Sequence, residues 1–101
     1  MPSQAIALLI RVTAEQYANA ARQRQNGNPN ANPLVVPLFE QGGYLLSSYD
    51  PELITLTHSA SGRQYTGSMP VILADYLAGF HDGRRVFEDH EFDLVLMSEN
   101  D

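Results

Sequence analysis

The sequence predicts a small α+β domain: one mainly antiparallel sheet of about five to six strands with two helices on one face, in the order β-α-β-β-β-β-α-β. Three observations carry that expectation. The chain has 101 residues, 44% hydrophobic and 18% charged, the balance of one globular domain spanning 1–101 with a single modest core. Apolar and polar residues alternate in short runs near the start, in the middle and near the end, which is the period-two pattern of half-buried strands. Between these runs lie two stretches with helical spacing and helical end signals.

Taken in order, Gln4 to Val12 sets Ile6, Leu8, Ile10 and Val12 on one face. Ala7 and Leu9 make the other face partly apolar, as expected of an interior strand. Thr13-Ala14-Glu15-Gln16 matches the S/T-x-x-E/Q capping box, so a helix should start there, with Ala14, Tyr17, Ala18 and Ala21 as its inner stripe. Residues 26–33, rich in Asn and Pro, read as a flexible loop. Leu34 to Phe39 reads as a strand confined to a sheet edge by Pro37, which has no N–H for a ladder. The Gly42-Gly43 pair then suggests a two-residue hairpin turn into Tyr44 to Ser47. After a turn at Asp50-Pro51, Leu53 to His58 alternates cleanly, and Ser59-Ala60-Ser61-Gly62 can turn it back into Arg63 to Thr66. Ser68-Met69-Pro70 opens the second helix, whose stripe is Leu73, Tyr76, Leu77 and Phe80, and Gly79 or Gly83 can end it. Phe92, Leu94 and Leu96 mark a last strand before an acidic tail over 98–101.

Composition removes several kinds of chemistry. With no Cys there is no disulfide framework, thiolate nucleophile, zinc finger or iron–sulfur cluster. All six basic residues are Arg, so Schiff-base and P-loop lysines are excluded as well. The start of the chain lacks the basic and apolar regions of a secretory signal, and no stretch approaches the roughly 20 apolar residues of a membrane helix. The expected location is cytoplasmic. The net charge is −6. Through residue 63 the acids Glu15, Glu40, Asp50 and Glu52 balance Arg11, Arg22, Arg24 and Arg63, so the whole excess lies later in the chain. Such a field favours a basic partner and repels nucleic acid.

The densest polar stretch is His81 to Glu91. His81-Asp82 is similar to the dipeptide of HD-type phosphohydrolases, but that family's further His and Asp ligands and its all-helical domain have no counterpart in this chain. The stretch otherwise reads as a solvated helix end and charged loop, with His81 suited to the negative end of the helix dipole. Ser59 and Ser61 beside His58 read as a turn, because no G-x-S-x-G elbow accompanies them. Neither a catalytic site, a metal site nor a cofactor is expected. Tyr44, Tyr49 and Tyr65 lie on or beside the hairpins and are the expected exposed anchors.

In size, acidity, lack of Cys and lack of catalytic spacing, the chain resembles phage-encoded anti-defence proteins such as anti-CRISPRs. The likeness is one of composition, with no shared motif; it implies a place in the host cytoplasm if the chain is phage-encoded and brings over no functional residue. The expectation is a non-enzymatic inhibitor in which Glu88, Asp89, Glu91 and Asp93 imitate phosphates toward a basic groove. Its partner would be a larger protein or ribonucleoprotein complex with a basic surface, with no direct nucleic-acid or membrane binding. A free sheet edge would also suit a homodimer. Two alternatives stand beside it: an antitoxin or immunity protein against a basic toxin, and a small metal-dependent hydrolase using the His81 to Glu91 cluster.

Overall fold

The computed structural model describes residues 5–28 and 31–98. It is a small α+β domain built from β1 (Ala5–Val12), α1 (Ala14–Gln25), α2 (Val35–Gly42), β2 (Tyr44–Tyr49), β3 (Leu53–His58), β4 (Gln64–Ser68), α3 (Val71–His81) and β5 (His90–Ser98). The five strands form one sheet in the order β1-β5-β4-β3-β2, and all neighbours are antiparallel.

Alternation decides which side of each strand is buried. Ile10 and Val12 of β1, Phe92, Leu94 and Leu96 of β5, Ile54 and Leu56 of β3 and Tyr65 of β4 enter one core. Tyr17 and Ala20 of α1, Leu34 and Leu38 around α2, and Leu73, Leu77 and Phe80 of α3 meet them there, so the helices cover a single face of the sheet. Aromatic edges knit this core: the Tyr76 ring centroid lies 5.3 Å from Tyr17 and 4.9 Å from Phe92, and Tyr17 lies 5.4 Å from Phe80.

The capping box forms as the residues require. Thr13 Oγ1 accepts from the Gln16 N–H at 3.1 Å, and Gln16 Oε1 accepts from the Thr13 N–H at 2.9 Å. The stripe of α1 is rotated from the expected one, however. Tyr17 and Ala20 are buried, while Ala18 is exposed and Ala21 half-buried. Small side chains on that side leave a trough rather than a packed seam.

The largest correction concerns residues 34–39, which form part of helix α2 and not an edge strand. Pro37 occupies the third helical residue, where its missing N–H has no intrahelical acceptor to lose. Just upstream, Asn32 Oδ1 accepts from the Leu34 N–H at 2.8 Å and starts the turn. Gly43, at φ 70°, closes α2 in the left-handed conformation, so the Gly pair ends a helix rather than forming a hairpin. The order is therefore β-α-α-β-β-β-α-β, with a third helix. α2 packs on both β1 and β2, the two outer strands, which requires the sheet to curl around its covered face.

Further differences follow. β1 is an outer strand, not an interior one; its second apolar face comes from Ala7 and Leu9 facing outward. Its exposed edge is partly occupied, since the Gln41 amide accepts from the Arg11 N–H at 3.0 Å and donates to the Arg11 carbonyl at 2.8 Å. The other edge, β2, carries a register shift between Leu46 and Ser48. Ser68 lies in β4 and caps nothing, for α3 begins after Pro70 with no side-chain cap. Gly79 is buried inside α3, and Gly83, at φ 82°, follows its end. In the expected loop 26–33, Ala31 and Pro33 are buried; Pro29 and Asn30 lie outside the described residues. Ser98 is a buried end of β5, and the rest of the expected tail lies outside the described residues.

Candidate functional site

Because the helices share one side, the opposite face of the sheet is bare. On β1 and β5 the outward positions alternate with the core residues, giving Ala5, Ala7, Leu9 and Arg11 beside Glu91, Asp93, Val95 and Met97. The register sets Leu9 opposite Asp93, Ala7 opposite Val95 and Ala5 opposite Met97. Val95 is 65% exposed and Leu9 56%, and they are diagonal neighbours on the pleat. Toward β3 the face continues through Thr66 and Thr55, whose hydroxyl oxygens lie 3.0 Å apart, and ends on exposed Leu53 and Leu45. It is thus an apolar surface with threonines across its middle and, at one end, two carboxylates with Arg11 beside Glu91.

The four expected acidic residues do not form one row. Glu91 and Asp93 lie on the bare face, with Glu91 opposite Arg11 in register. Glu88 is exposed in the segment between α3 and β5. Asp89 is engaged within the fold: its carboxylate accepts from the Ala14 N–H at 2.9 Å, at the start of α1, and from Arg11 Nη2 at 3.2 Å. These bonds, the backbone one foremost, hold its carboxyl below the ordinary carboxylate range.

A carboxyl whose pKa is depressed by folding contributes fully above its unfolded value, about 3.9, and loses that contribution as pH falls through the lower folded value. Asp89→Asn is therefore expected to lower the thermal midpoint at neutral pH and to make stability fall less steeply in acid. Melting curves from neutral pH to about pH 2 test it; an acid limb as steep as wild type would contradict it.

The three expected tyrosine anchors are placed differently. Tyr65 is buried rather than exposed. Tyr44 is half-buried, edge-on to His58 at 5.1 Å and to Tyr65 at 6.0 Å. Tyr49 is a half-buried tie: its hydroxyl lies 2.7 Å from His81 Nε2 and receives Asn32 Nδ2 at 3.2 Å. Burial raises the phenol pKa of both Tyr44 and Tyr49. Arg24 Nη1 donates to His81 Nδ1, while Nε2 on the other side of the ring meets the Tyr49 hydroxyl.

His81 is thus joined to β2 and α1, whereas His90 stacks on Phe92 and tilts toward Tyr76. Among the described residues no three His, Asp or Glu side chains converge as a metal site. His58 Nδ1 and Ser61 Oγ meet at 3.1 Å inside the β3–β4 turn, where Ser61 also accepts from the Arg63 N–H. Also among the described residues, no helix is long and apolar enough to cross a membrane.

One further surface was not expected from the sequence. A half-open groove of about 640 Å³ lies between the outer side of α1 and the segment that follows α3. Ala18, Ala21, Phe80 and Val86 contribute apolar lining, and Arg22, Arg24, Arg84 and Arg85 line it as well, four of the chain's six arginines. The local signals were the Arg-rich last turn of α1 and the Arg84-Arg85 doublet, but only the packing of α1 beside the end of α3 brings them together. No family model, curated protein or solved structure matches the chain.

Proposed function

We propose that the protein is a non-enzymatic binding protein that inhibits or modulates a larger protein or ribonucleoprotein complex, docking its bare sheet face on a basic surface that otherwise holds nucleic acid. The observation that carries this reading is the juxtaposition of exposed Leu9, Val95 and Met97 with Asp93 and Glu91 on one uncovered face of the sheet. Apolar residues concentrated this way on one face mark interaction surfaces more often than solvated ones. Burying what remains exposed of Leu9 and Val95 would supply about 1 kcal/mol each. The two carboxylates would set orientation and speed the encounter with guanidinium or ammonium groups. Acting as a steric and electrostatic block needs no catalytic group. An anti-defence role of the anti-CRISPR kind fits this mode of action, and an antitoxin facing a basic toxin would use the same face.

Affinity capture from a host lysate, run at low and at high salt with the eluates identified, tests the reading. The expected result is a nucleic-acid-handling partner with a basic surface, retained at low salt and substantially released near 1 M, where charges are screened within about 3 Å. A partner whose retention ignores salt would contradict the electrostatic part of the reading. Self-pairing through the bare face or the free stretch of the β1 edge is a separate occupancy, and a mass by light scattering that rises with concentration would reveal it.

A further inference from the structure

We infer that the arginine-lined groove between α1 and the segment after α3 is a binding site for a nucleoside polyphosphate, separate from the bare sheet face. Charge is the first argument. Four guanidiniums face the lone carboxylate of Glu15 among the lining residues, in a chain whose net charge is −6. The ion pair seen among the described residues is elsewhere, between Arg11 and Asp89, so the groove's cations have no carboxylate partner there. Concentrating positive charge in this way costs stability through mutual repulsion, and a polyanion removes the cost. A nucleoside diphosphate, with roughly three negative charges, matches four guanidiniums less one carboxylate.

Preorganisation is the second argument. Arg24 lies 5.7 Å from the Phe80 ring centroid and donates to His81 Nδ1. The guanidinium of Arg84 lies along α3 at Gly79, where an added Cβ would come within 3.1 Å of its Cζ. The backbone of Arg84 is pinned on both sides, its N–H donating to the Gly79 carbonyl at 2.8 Å and its carbonyl accepting from the Tyr17 hydroxyl at 2.5 Å. The contacts of Arg24 and Arg84 reduce the freedom these two side chains would lose on accepting phosphate oxygens.

Shape supplies the third argument. The groove's volume falls in the range of small-ligand sites, roughly 300–1,000 Å³. Its lining includes one large aromatic ring left in water: Phe87 is 80% exposed on the same short segment as Arg84 and Arg85. A flat ring beside guanidiniums is the arrangement that stacks a base while its phosphates are bound.

Titration calorimetry of the full chain with ADP, pyrophosphate, dodecanoate and a short single-stranded oligonucleotide tests the assignment. ADP is expected to bind at least about tenfold more tightly than pyrophosphate, the stacking share of the affinity. Phe87→Ala should remove that advantage and leave pyrophosphate binding unchanged. Arg85→Gln should weaken both by about tenfold. Both replaced residues are exposed, and unchanged melting curves would confirm that the fold is intact. Absence of ADP binding at millimolar concentration, ADP no tighter than pyrophosphate, or an unchanged affinity in Arg85→Gln would overturn the proposal. So would dodecanoate or the oligonucleotide binding more tightly than ADP. None of these outcomes bears on partner capture by the sheet face, so the two readings fail separately.

Discussion

Gly67→Val is expected to cost about 4 kcal/mol or more, a large share of the roughly 5–15 kcal/mol that holds a domain of this size together. A Cβ at Gly67 would stand 2.2 Å from the Val95 carbonyl oxygen and 2.9 Å from Leu96 Cδ2. The nearer atom is backbone and cannot swing aside. Relief therefore requires β4 and β5 to part, and that is the seam of the sheet. The β1–β5 pair on one side and the β4-β3-β2 meander on the other are joined by a short ladder, Tyr65 to Ser98, Thr66 to Met97 and Gly67 to Leu96. Gly67→Ala already meets the clash, and valine adds branching beside buried Leu96 and Ile54. Urea unfolding monitored by circular dichroism should show a much lower midpoint for both, with valine the worse. A midpoint within experimental error of wild type would show that the strands can separate here without loss.

The second large effect is on binding. Glu91→Lys together with Asp93→Lys reverses both carboxylates on the bare face and is expected to reduce partner retention by at least about 100-fold, since like charges set against a basic surface cost several kcal/mol. Both side chains are exposed, so the fold should persist, with only the modest cost of a second positive charge opposite Arg11. Asp89 is unsuited to this experiment because its loss also releases the start of α1. A graded series separates charge from contact. Glu91→Gln with Asp93→Asn should slow association and flatten its salt dependence, whereas Leu9→Ser with Val95→Ser should speed dissociation at every salt concentration. Full retention by the double lysine variant would place the contact elsewhere on the molecule.

What the sequence made legible was local. The Thr13 to Gln16 box, the alternation in β1, β3 and β5 and the stripe of α3 depend on residues within a few positions of one another, and each forms where its pattern lies. Leu34 to Phe39 was not legible in the same way. A run of six residues with one proline has neither a clear period of two nor of 3.6, and its state was decided by Asn32 before it and Gly43 after it. The apolar second face of β1 was visible, but its cause was not: Ala7 and Leu9 signal a bare outer surface rather than a central position. The acidic excess was visible as composition, yet Asp89 is spent on Arg11 and Ala14, contacts with the opposite end of the chain. The groove had the least signal of all. Its arginines come from two segments separated by most of the chain, and nothing within either segment announces the other.

With the bare sheet face as the surface presented to the partner, an obstruction placed on it should block capture, and the chain's lack of cysteine allows that to be measured directly. A single Val95→Cys, coupled to a bulky maleimide, places an obstruction in the middle of that face; Val71→Cys places the same group at the exposed start of α3, on the helix-covered side. Capture of the partner should survive both unlabelled substitutions and the label at position 71, and be lost with the label at position 95. If the protein labelled at position 95 retains its partner as well as the unlabelled protein, the sheet face is not the contact surface and the account is wrong.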